Sequence, residues 1–283
     1  MHGVDPGKPF DFTAQATCKV MVQSPATDAE VLSRTVAEMK RLNIVTGVIA
    51  GERALVALWR KASSDRFIPA ANFFLDDKAP PAAHATALEA QVKRGETQLF
   101  AEISAQYRGM APDHPSLEPF YAMAERLAVP VGIHMGYGAP GGPYWAYPKY
   151  RASLGNPLLL EELLTRHPKM RVYVMHAGMP MTDEMIALMF SHPQVYVDIS
   201  ADNWGVPRAD FHYHLKRLVD AGYGKRIMFG SDQMIWPQTI EVAVESITGP
   251  PFLFDEQKRD ILYNNAARFL RPTPQQIAKH HDR

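Results

Sequence analysis

Three apolar runs decide the fold: VPVGIHM (129–135), RVYVMHA (171–177) and RIMFGSD (226–232), each with a polar residue at or next to its end. Runs of this kind are typical of strands that are buried on both faces of a parallel sheet. Parallel strands present their carboxyl ends at one rim, so the polar residues at the ends of the runs should converge on one site. These residues are His134, His176 and Asp232.

Helix-like and strand-like segments alternate along the chain from residue 27, at intervals of roughly 20 to 40 residues. Most of the strand-like runs are apolar throughout, which predicts parallel strands in one sheet. No linker or shift of composition divides the chain, so we expect one domain over residues 1–283, with an irregular segment at 1–26 and a tail at 272–283. The predicted strands are 44–50, 67–75, 97–105, 129–135, 171–177, 195–201 and 226–232.

This pattern predicts an α/β fold, a (β/α)8 TIM barrel whose first strand is missing or degenerate. That strand should precede the helix at 27–42, where TCKVMV (17–22) is a weak candidate. The alternative is a doubly wound open sheet, which usually has a glycine-rich turn after an early strand. The corresponding turn here, VIAGERA (48–54), contains one glycine, so the barrel is favoured.

Composition excludes several classes of partner. Lys plus Arg and Asp plus Glu each number 30, so the net charge is zero and nothing electrostatic supports binding to nucleic acid or to an anionic membrane. No apolar run approaches the roughly 18 residues of a membrane span. One cysteine, Cys18, excludes an internal disulfide. The first residues lack the pattern of a secretory signal, so we expect a cytoplasmic protein unless a signal precedes an incorrectly assigned start.

Each of the three strand-tip residues also has an ordinary structural interpretation. A buried histidine satisfied by a hydrogen bond would explain His134 or His176 taken singly. Asp232 could cap the helix that follows it, since a buried carboxylate is costly when it has no partner. Three separate explanations at three strand tips are less favoured than one shared site, where imidazole and carboxylate groups suit a divalent metal.

Four segments, GIHMG, VMHAG, FGSDQMIWP and ILYNNAARFL, together resemble the amidohydrolase superfamily, in particular its amidohydrolase-related branch of metal-dependent hydrolases and nonoxidative decarboxylases. The resemblance covers residues 27–271. It implies one divalent metal, with zinc first and manganese as the alternative, and no organic cofactor. It also implies that His134 is a metal ligand and that Asp232 binds the metal and accepts a proton from its water. His176 would polarise the substrate, shuttle a proton or add a ligand, so Asp232 and His176 are the predicted catalytic residues.

The sequence departs from this family at the first strand, which should end in H-x-H and supply two further ligands. One hypothesis is that Met1 is the middle residue of a lost H-x-H, with His2 as its second histidine. The other is that His2 is a frayed terminal residue. Upstream sequence without D-x-H immediately before Met1 would reject the first. Glu102, on the strand FAEIS, receives a minor role, because pairing with an arginine such as Arg108 explains a buried carboxylate equally well.

Aromatic side chains near the predicted rim are candidates for a pocket that binds a small-molecule substrate. Packing of the long loop at 136–155 onto the barrel explains most of them equally well. His212 and His214 have an H-x-H spacing on a helix, where residues two apart do not share a face, so we expect both at the surface. The predicted substrate-binding residues are Trp204, Trp236 and Tyr137.

The resulting expectation is a metal-dependent hydrolase that acts on a small cyclic amide, lactone or related carbonyl substrate through metal-activated water. A nonoxidative decarboxylase of an aromatic or unsaturated carboxylic acid is the alternative, in which Arg151 or Arg208 could grip the carboxylate. A metal-poor barrel without catalysis is the third interpretation. An open sheet edge invites pairing, so residues 13–22 or a second chain in a homodimer should fill the place of the first strand.

Overall fold

A computed structural model describes residues 22–73 and 80–282, which form a sheet of seven parallel strands with helices between them. The strands lie in the sheet in the same order as in the sequence, and every neighbouring pair is parallel. This confirms the predicted α/β fold of the TIM-barrel type. The strands are β1 (Gly47–Ile49), β2 (Phe67–Ala71), β3 (Leu99–Ile103), β4 (Val131–His134), β5 (Val172–Met175), β6 (Tyr196–Asp198) and β7 (Ile227–Met228).

Helices occupy most of the connections, as the alternation of segments predicts. Those in the described residues are α1 (Asp28–Arg41), α2 (Arg53–Ala62), α3 (Pro81–Lys93), α4 (Glu118–Arg126), α5 (Gly142–Trp145), α6 (Glu161–Arg166), α7 (Thr182–Ser191), α8 (Asp202–Gly205), α9 (Arg208–Leu218), α10 (Thr239–Thr248), α11 (Asp255–Arg259), α12 (Asn265–Leu270) and α13 (Pro274–His281).

The first helix, α1, begins where the sequence carries a capping signal. The Thr27 hydroxyl oxygen accepts a hydrogen bond from the Glu30 N–H at 3.2 Å, and the Glu30 carboxylate accepts one from the Ala26 N–H at 3.0 Å. Such a pair satisfies backbone donors that the first turn leaves unpaired. The helix then buries Val31 and Met39 in a cluster that includes side chains of β1 and β2.

The central core lies between β3 to β6 and the helices that cover them. Val131 and Ile133 of β4 are fully buried, and this strand has a parallel neighbour on each side. Full burial of an aliphatic side chain contributes roughly 1.5–3 kcal/mol relative to exposure. This part of the barrel is therefore the stable scaffold that positions the strand tips.

A seam, defined as the gap between β1 and β7, separates the two ends of the sheet. Among the described residues these two strands are not paired with each other. A cavity of about 230 Å³ follows the seam, and its mainly apolar lining includes Ile49, Leu99 and Phe269. The seam is where the sequence predicts a missing first strand. His2 and residues 13–21, which enter the hypotheses about that strand, lie outside the described residues.

Two regions that the sequence presents as irregular contain short helices. The loop at 136–155 includes α5, and the tail after residue 272 includes α13. A capping pair between Thr273 and Gln276 begins α13. Within the described ranges, no helix has both the length and the apolar character that crossing a membrane requires.

Candidate metal centre at the strand tips

Three buried side chains meet at the carboxyl ends of β3, β4 and β5. They are Glu102, His134 and His176, and their potential ligand atoms all lie within 4.8 Å of one another. We call these three residues the rim cluster. Each is at most 4% exposed, so adjacent strands hold all three away from water. The structure brings His134 and His176 together, and it adds Glu102, for which the sequence predicts only a minor role.

A bulge in β3 places Glu102 inside the rim cluster. Phe100 of β3 pairs with Val131 of β4, and Ile103 then pairs with Ile133, so β3 takes three steps where β4 takes two. An extra residue of this kind redirects the side chains around it. The Glu102 carboxylate therefore faces the two imidazoles.

The His134 ring is bonded to Glu102 through one nitrogen only. Nδ1 donates a short hydrogen bond to Glu102 Oε1. Nε2 is buried and has no hydrogen-bond partner among the described residues. The Tyr107 ring packs edge-on against the His134 ring, with 5.0 Å between centroids. A buried nitrogen without a partner is unfavourable, so this side of the His134 ring is a strained part of the metal-free site.

The residue after β5, His176, lies in a left-handed turn. Its φ is +61° and that of Ala177 is +46°, values that residues other than glycine rarely adopt. His176 Nδ1 donates to the Ser200 carbonyl oxygen at 3.0 Å, and Nε2 lies 3.5 Å from Glu102 Oε1. Nε2 is therefore the nitrogen that faces the rim cluster, where the His134 and His176 ring centroids are 4.5 Å apart.

Burial and a shared carboxylate give the two histidines opposite protonation behaviour. Burial lowers the pKa of His134 below its ordinary value, and the charge of Glu102 only partly opposes this. Burial also opposes the charge on His176. There, however, the hydrogen bond and charge of Glu102, supported by Asp232 and Asp202, raise the pKa well above its ordinary value. Glu102 therefore favours the charged form of His176 more strongly than that of His134.

Three further carboxylates act on His176, and the sequence singled out only one of them. Asp232 follows β7 with a φ of +43°, is half-buried, and lines the seam cavity together with Glu102. It lies outside the rim cluster, but its charge acts on both histidines. Asp198 ends β6 and Asp202 begins α8, and both are buried. Burial raises the pKa of each, that of Asp202 to about 8.

The donor atoms of the rim cluster fit a divalent metal. Two imidazoles and a carboxylate are ligands that zinc and manganese accept, and three protein ligands are typical of catalytic zinc. The convergence of three potential ligand atoms in a buried site is the observation that points to a bound ion. On His176, the Ser200 carbonyl holds the nitrogen that faces away from the cluster, an arrangement that metal-binding histidines usually have.

The predicted substrate-binding aromatic residues are not among the side chains that line the seam cavity. Trp204 donates to the Ser231 carbonyl at 2.5 Å. Trp236 packs in a buried hydrophobic cluster with Trp59. Tyr137 is 45% exposed and is the most accessible of the three to an incoming molecule.

Two arginines and two helical histidines that the sequence singled out have structural contacts. Arg208 donates to backbone carbonyl oxygens through both Nη atoms, whereas the exposed Arg151 does so through Nη1. His214 is buried and bonds Thr182 Oγ1 at 2.7 Å, and His212 is half-buried and donates to a carbonyl in α10. The prediction that both histidines lie at the surface is wrong, because α9 packs its His214 side against α7.

These features define a TIM-barrel-like α/β protein with a candidate metal site at the carboxyl ends of its strands. A model of the amidohydrolase family (amidohydrolase 2) matches residues 1–271. The chain therefore belongs to the amidohydrolase family, as the strand-tip motifs indicate. A search of curated protein sequences finds no match.

Solved structures share the fold but are distant in sequence. An uncharacterised TIM-barrel protein from Bordetella bronchiseptica is 21% identical, has a TM-score of 0.66, and covers 87% of this chain and 82% of its own. A probable 2-pyrone-4,6-dicarboxylic acid hydrolase from Acinetobacter baumannii, with citric acid bound, is 15% identical, has a TM-score of 0.64, and covers 91% and 94%. A 5-carboxyvanillate decarboxylase from Novosphingobium aromaticivorans, complexed with manganese and 4-hydroxy-3-methoxy-5-nitrobenzoic acid, is 14% identical, has a TM-score of 0.61, and covers 84% and 80%. At these identities the likeness establishes the fold alone.

Proposed function

We propose that this protein is a metal-dependent hydrolase that acts on a small cyclic amide, lactone or related carbonyl compound. The supporting observation is the rim cluster, a buried Glu–His–His set whose potential ligand atoms all lie within 4.8 Å of one another. Glu102, His134 and His176 would hold the metal. Zinc is the proposed ion and manganese the alternative, and manganese is bound in the Novosphingobium aromaticivorans decarboxylase.

The chain's own residues suit the steps of such a hydrolysis. A divalent metal would supply a Lewis acid and lower the pKa of a water molecule from about 15.7 toward 7. Asp232 would accept the proton from the attacking water, since its carboxylate lies at the rim and its charge acts on both histidines. Glu102 would be the anionic ligand between the two imidazoles, and the Ser200 carbonyl would keep His176 oriented.

The charges around the site favour a neutral carbonyl substrate over a carboxylate. Three acidic side chains, Glu102, Asp198 and Asp232, line the seam cavity, and no described lysine or arginine lines it. A substrate carboxylate would meet like charge there, and the proposed metal would be the cation that pairs with it. Neither Arg151 nor Arg208, the predicted carboxylate-binding groups, lines the cavity.

A nonoxidative decarboxylase is the second candidate, because one of the structures with this fold is a 5-carboxyvanillate decarboxylase. Its substrate would carry a carboxylate that pairs with the proposed metal, since the described lining of the seam cavity contains no lysine or arginine. The third interpretation is a metal-poor barrel without catalysis. Measuring the metal content of the purified protein tests it, whereas the choice of substrate does not.

Metal content and turnover of the purified chain test the proposal together. The protein is supplied with Zn²⁺ or Mn²⁺ and screened against neutral lactones and cyclic amides, with aromatic carboxylic acids as the opposing panel. We expect about one bound metal per chain and hydrolysis within the neutral panel. Less than about a tenth of an equivalent of metal at saturating supply would support the non-catalytic barrel. Turnover of the carboxylic acids alone would support decarboxylation.

A matched pair of histidine variants ties metal and activity to the rim cluster. His134→Asn removes a nitrogen of the cluster, whereas His192→Asn changes a half-buried histidine that ends α7. We expect the first variant to lose both metal and activity and the second to retain both. Equal behaviour of the two variants would show that the metal is bound elsewhere.

A further inference from the structure

Asp198 is a buried carboxylate at the end of β6, and one of its oxygen atoms accepts three hydrogen bonds. Oδ1 accepts from the His176 backbone N–H at 3.2 Å, from the Ser200 N–H at 3.0 Å and from the Ser200 hydroxyl at 2.6 Å. The carboxylate is therefore a fixed point that joins the end of β6 to the turn after β5.

The turn that carries His176 needs such an anchor. His176 and Ala177 both have positive φ, at +61° and +46°, and Gly178 continues the turn at +66°. Residues other than glycine in this region carry strain, and the strain persists only where surrounding contacts enforce it. The hydrogen bond from the His176 N–H to Asp198 acts on the first residue of the turn from the neighbouring strand.

The same carboxylate also restrains the His176 side chain, through Ser200. Ser200 is tied to Asp198 by its N–H and by its hydroxyl, and its carbonyl oxygen accepts the hydrogen bond from His176 Nδ1. A proton held on Nδ1 leaves Nε2 to face Glu102. One carboxylate therefore acts on both the backbone and the ring of the same residue.

We propose that Asp198 is a positioning residue that, together with Ser200, holds His176 in the orientation that completes the rim cluster. The consequence for metal affinity rests on the proposed function, whereas the orientation of His176 is a property of the metal-free chain. Asp198 does not need to touch metal or substrate for this role. A merely structural aspartate would change stability without a specific effect on the His176 ring.

The test compares Asp198→Ala with Asp198→Asn and with a control at another buried aspartate. Asparagine keeps an acceptor oxygen at the same position, whereas alanine removes it. Asp260 is the matched control, because it is 5% exposed and its carboxylate bonds Asn264 and Arg268 in the C-terminal helices. Asp260→Ala therefore removes a buried carboxylate of similar burial away from His176.

Two readouts separate positioning from stability. One is the Nδ1–H proton resonance of His176 in metal-free protein labelled with ¹⁵N-histidine, assigned with His176→Asn. The other is Zn²⁺ affinity, measured by competition with a chromophoric chelator. Asp198→Ala should lose the protected resonance and bind Zn²⁺ about 10- to 100-fold more weakly. Asp198→Asn should keep the resonance and stay within about threefold of the parent chain, and Asp260→Ala should change neither readout.

Retention of the Nδ1–H resonance in Asp198→Ala, or an equal loss in Asp260→Ala, would overturn the proposal. If Asp198→Ala does not fold, Ser200→Ala decides, because it removes the hydroxyl bond and should weaken protection and Zn²⁺ binding to an intermediate extent. An unchanged resonance in Ser200→Ala would then reject the role. A parent chain with the protected resonance but without hydrolysis would count against the hydrolase proposal alone.

Discussion

The rim cluster and the seam belong to one parallel sheet, yet they differ in how tightly they hold their residues. At the rim cluster, β4 has a strand on each side and is buried at every position, so Glu102 and His134 stay in contact. At the seam, β1 has one strand neighbour among the described residues, and Val48 is 38% exposed. Among the described residues, strand pairing and burial are therefore more complete at the rim cluster than at the seam.

The largest expected effect is on metal binding at the rim cluster. Glu102→Gln removes the charge that His134 and His176 share, and we expect Zn²⁺ affinity to fall by more than about 100-fold in a competition titration. Glu96→Gln is the control, because Glu96 lies before β3 and pairs with arginines at the surface. If both variants bind Zn²⁺ like the parent chain, Glu102 does not contribute to metal binding. The rim cluster would then differ from the seam only in how tightly its residues are packed.

Packing should give the next largest difference between the two regions. Ile133 is fully buried in β4, whereas Ile49 lies in β1 and lines the seam cavity. Ile133→Ala would open a new cavity and lower the free energy of unfolding by about 3–4 kcal/mol, whereas Ile49→Ala borders existing space and should lose about 1–2 kcal/mol. Urea unfolding at constant m measures both values. Equal losses would show that the seam is packed as tightly as the rim cluster.

A smaller effect, dependent on pH, is expected behind the rim at His214. Burial lowers the pKa of His214 from 6.5 to about 4. Between pH 6.5 and about pH 4 the unfolded chain binds a proton on His214 that the folded chain does not. The neutral imidazole therefore makes its full contribution to the free energy of unfolding above pH 6.5, and this contribution is lost as the pH falls toward 4. The free energy of unfolding should decrease by about 2 kcal/mol by pH 5.

In the variant His214→Asn, the free energy of unfolding should lose this part of its pH dependence. Urea unfolding between about pH 5 and about pH 8 measures it. His212→Asn is the control, since His212 is only half-buried on the same helix. Parallel pH profiles for His214→Asn and the parent chain would contradict the expectation. They would also show that the packing of α9 against α7 accommodates a protonated His214 as readily as the seam would accommodate a charge.

The sequence predicts the scaffold because buried parallel strands require unbroken apolar runs, which are visible in a single sequence. Every predicted strand contains an observed one. The meeting of His134 and His176 also follows from the pattern, since the tips of parallel strands share a rim. Asp198 is not among the predicted site residues, although it ends the run VYVD, and its acceptor role depends on side-chain contacts that no run of residues displays.

Glu102 and His214 show two different reasons why the rest was missed. β3 is buried at every position, so no alternation marks the direction of Glu102, and the bulge that turns it inward is invisible in composition. His214 is different, because helical periodicity does assign it to the core. It shares one face with the buried residues Phe211, Leu215 and Leu218, and the H-x-H spacing obscured that pattern.

The extra residue in β3 determines how this site can be lost in evolution. Deletion of the Ala101 codon would restore even pairing with β4 and move the acid to the position that Ala101 now occupies, one residue further from the end of the strand. The resulting protein would keep its apolar core residues and its barrel. His134 and His176, however, would no longer have a carboxylate between them. Inactive descendants of such a gene would differ from active ones in the length of one strand and hardly at all in composition.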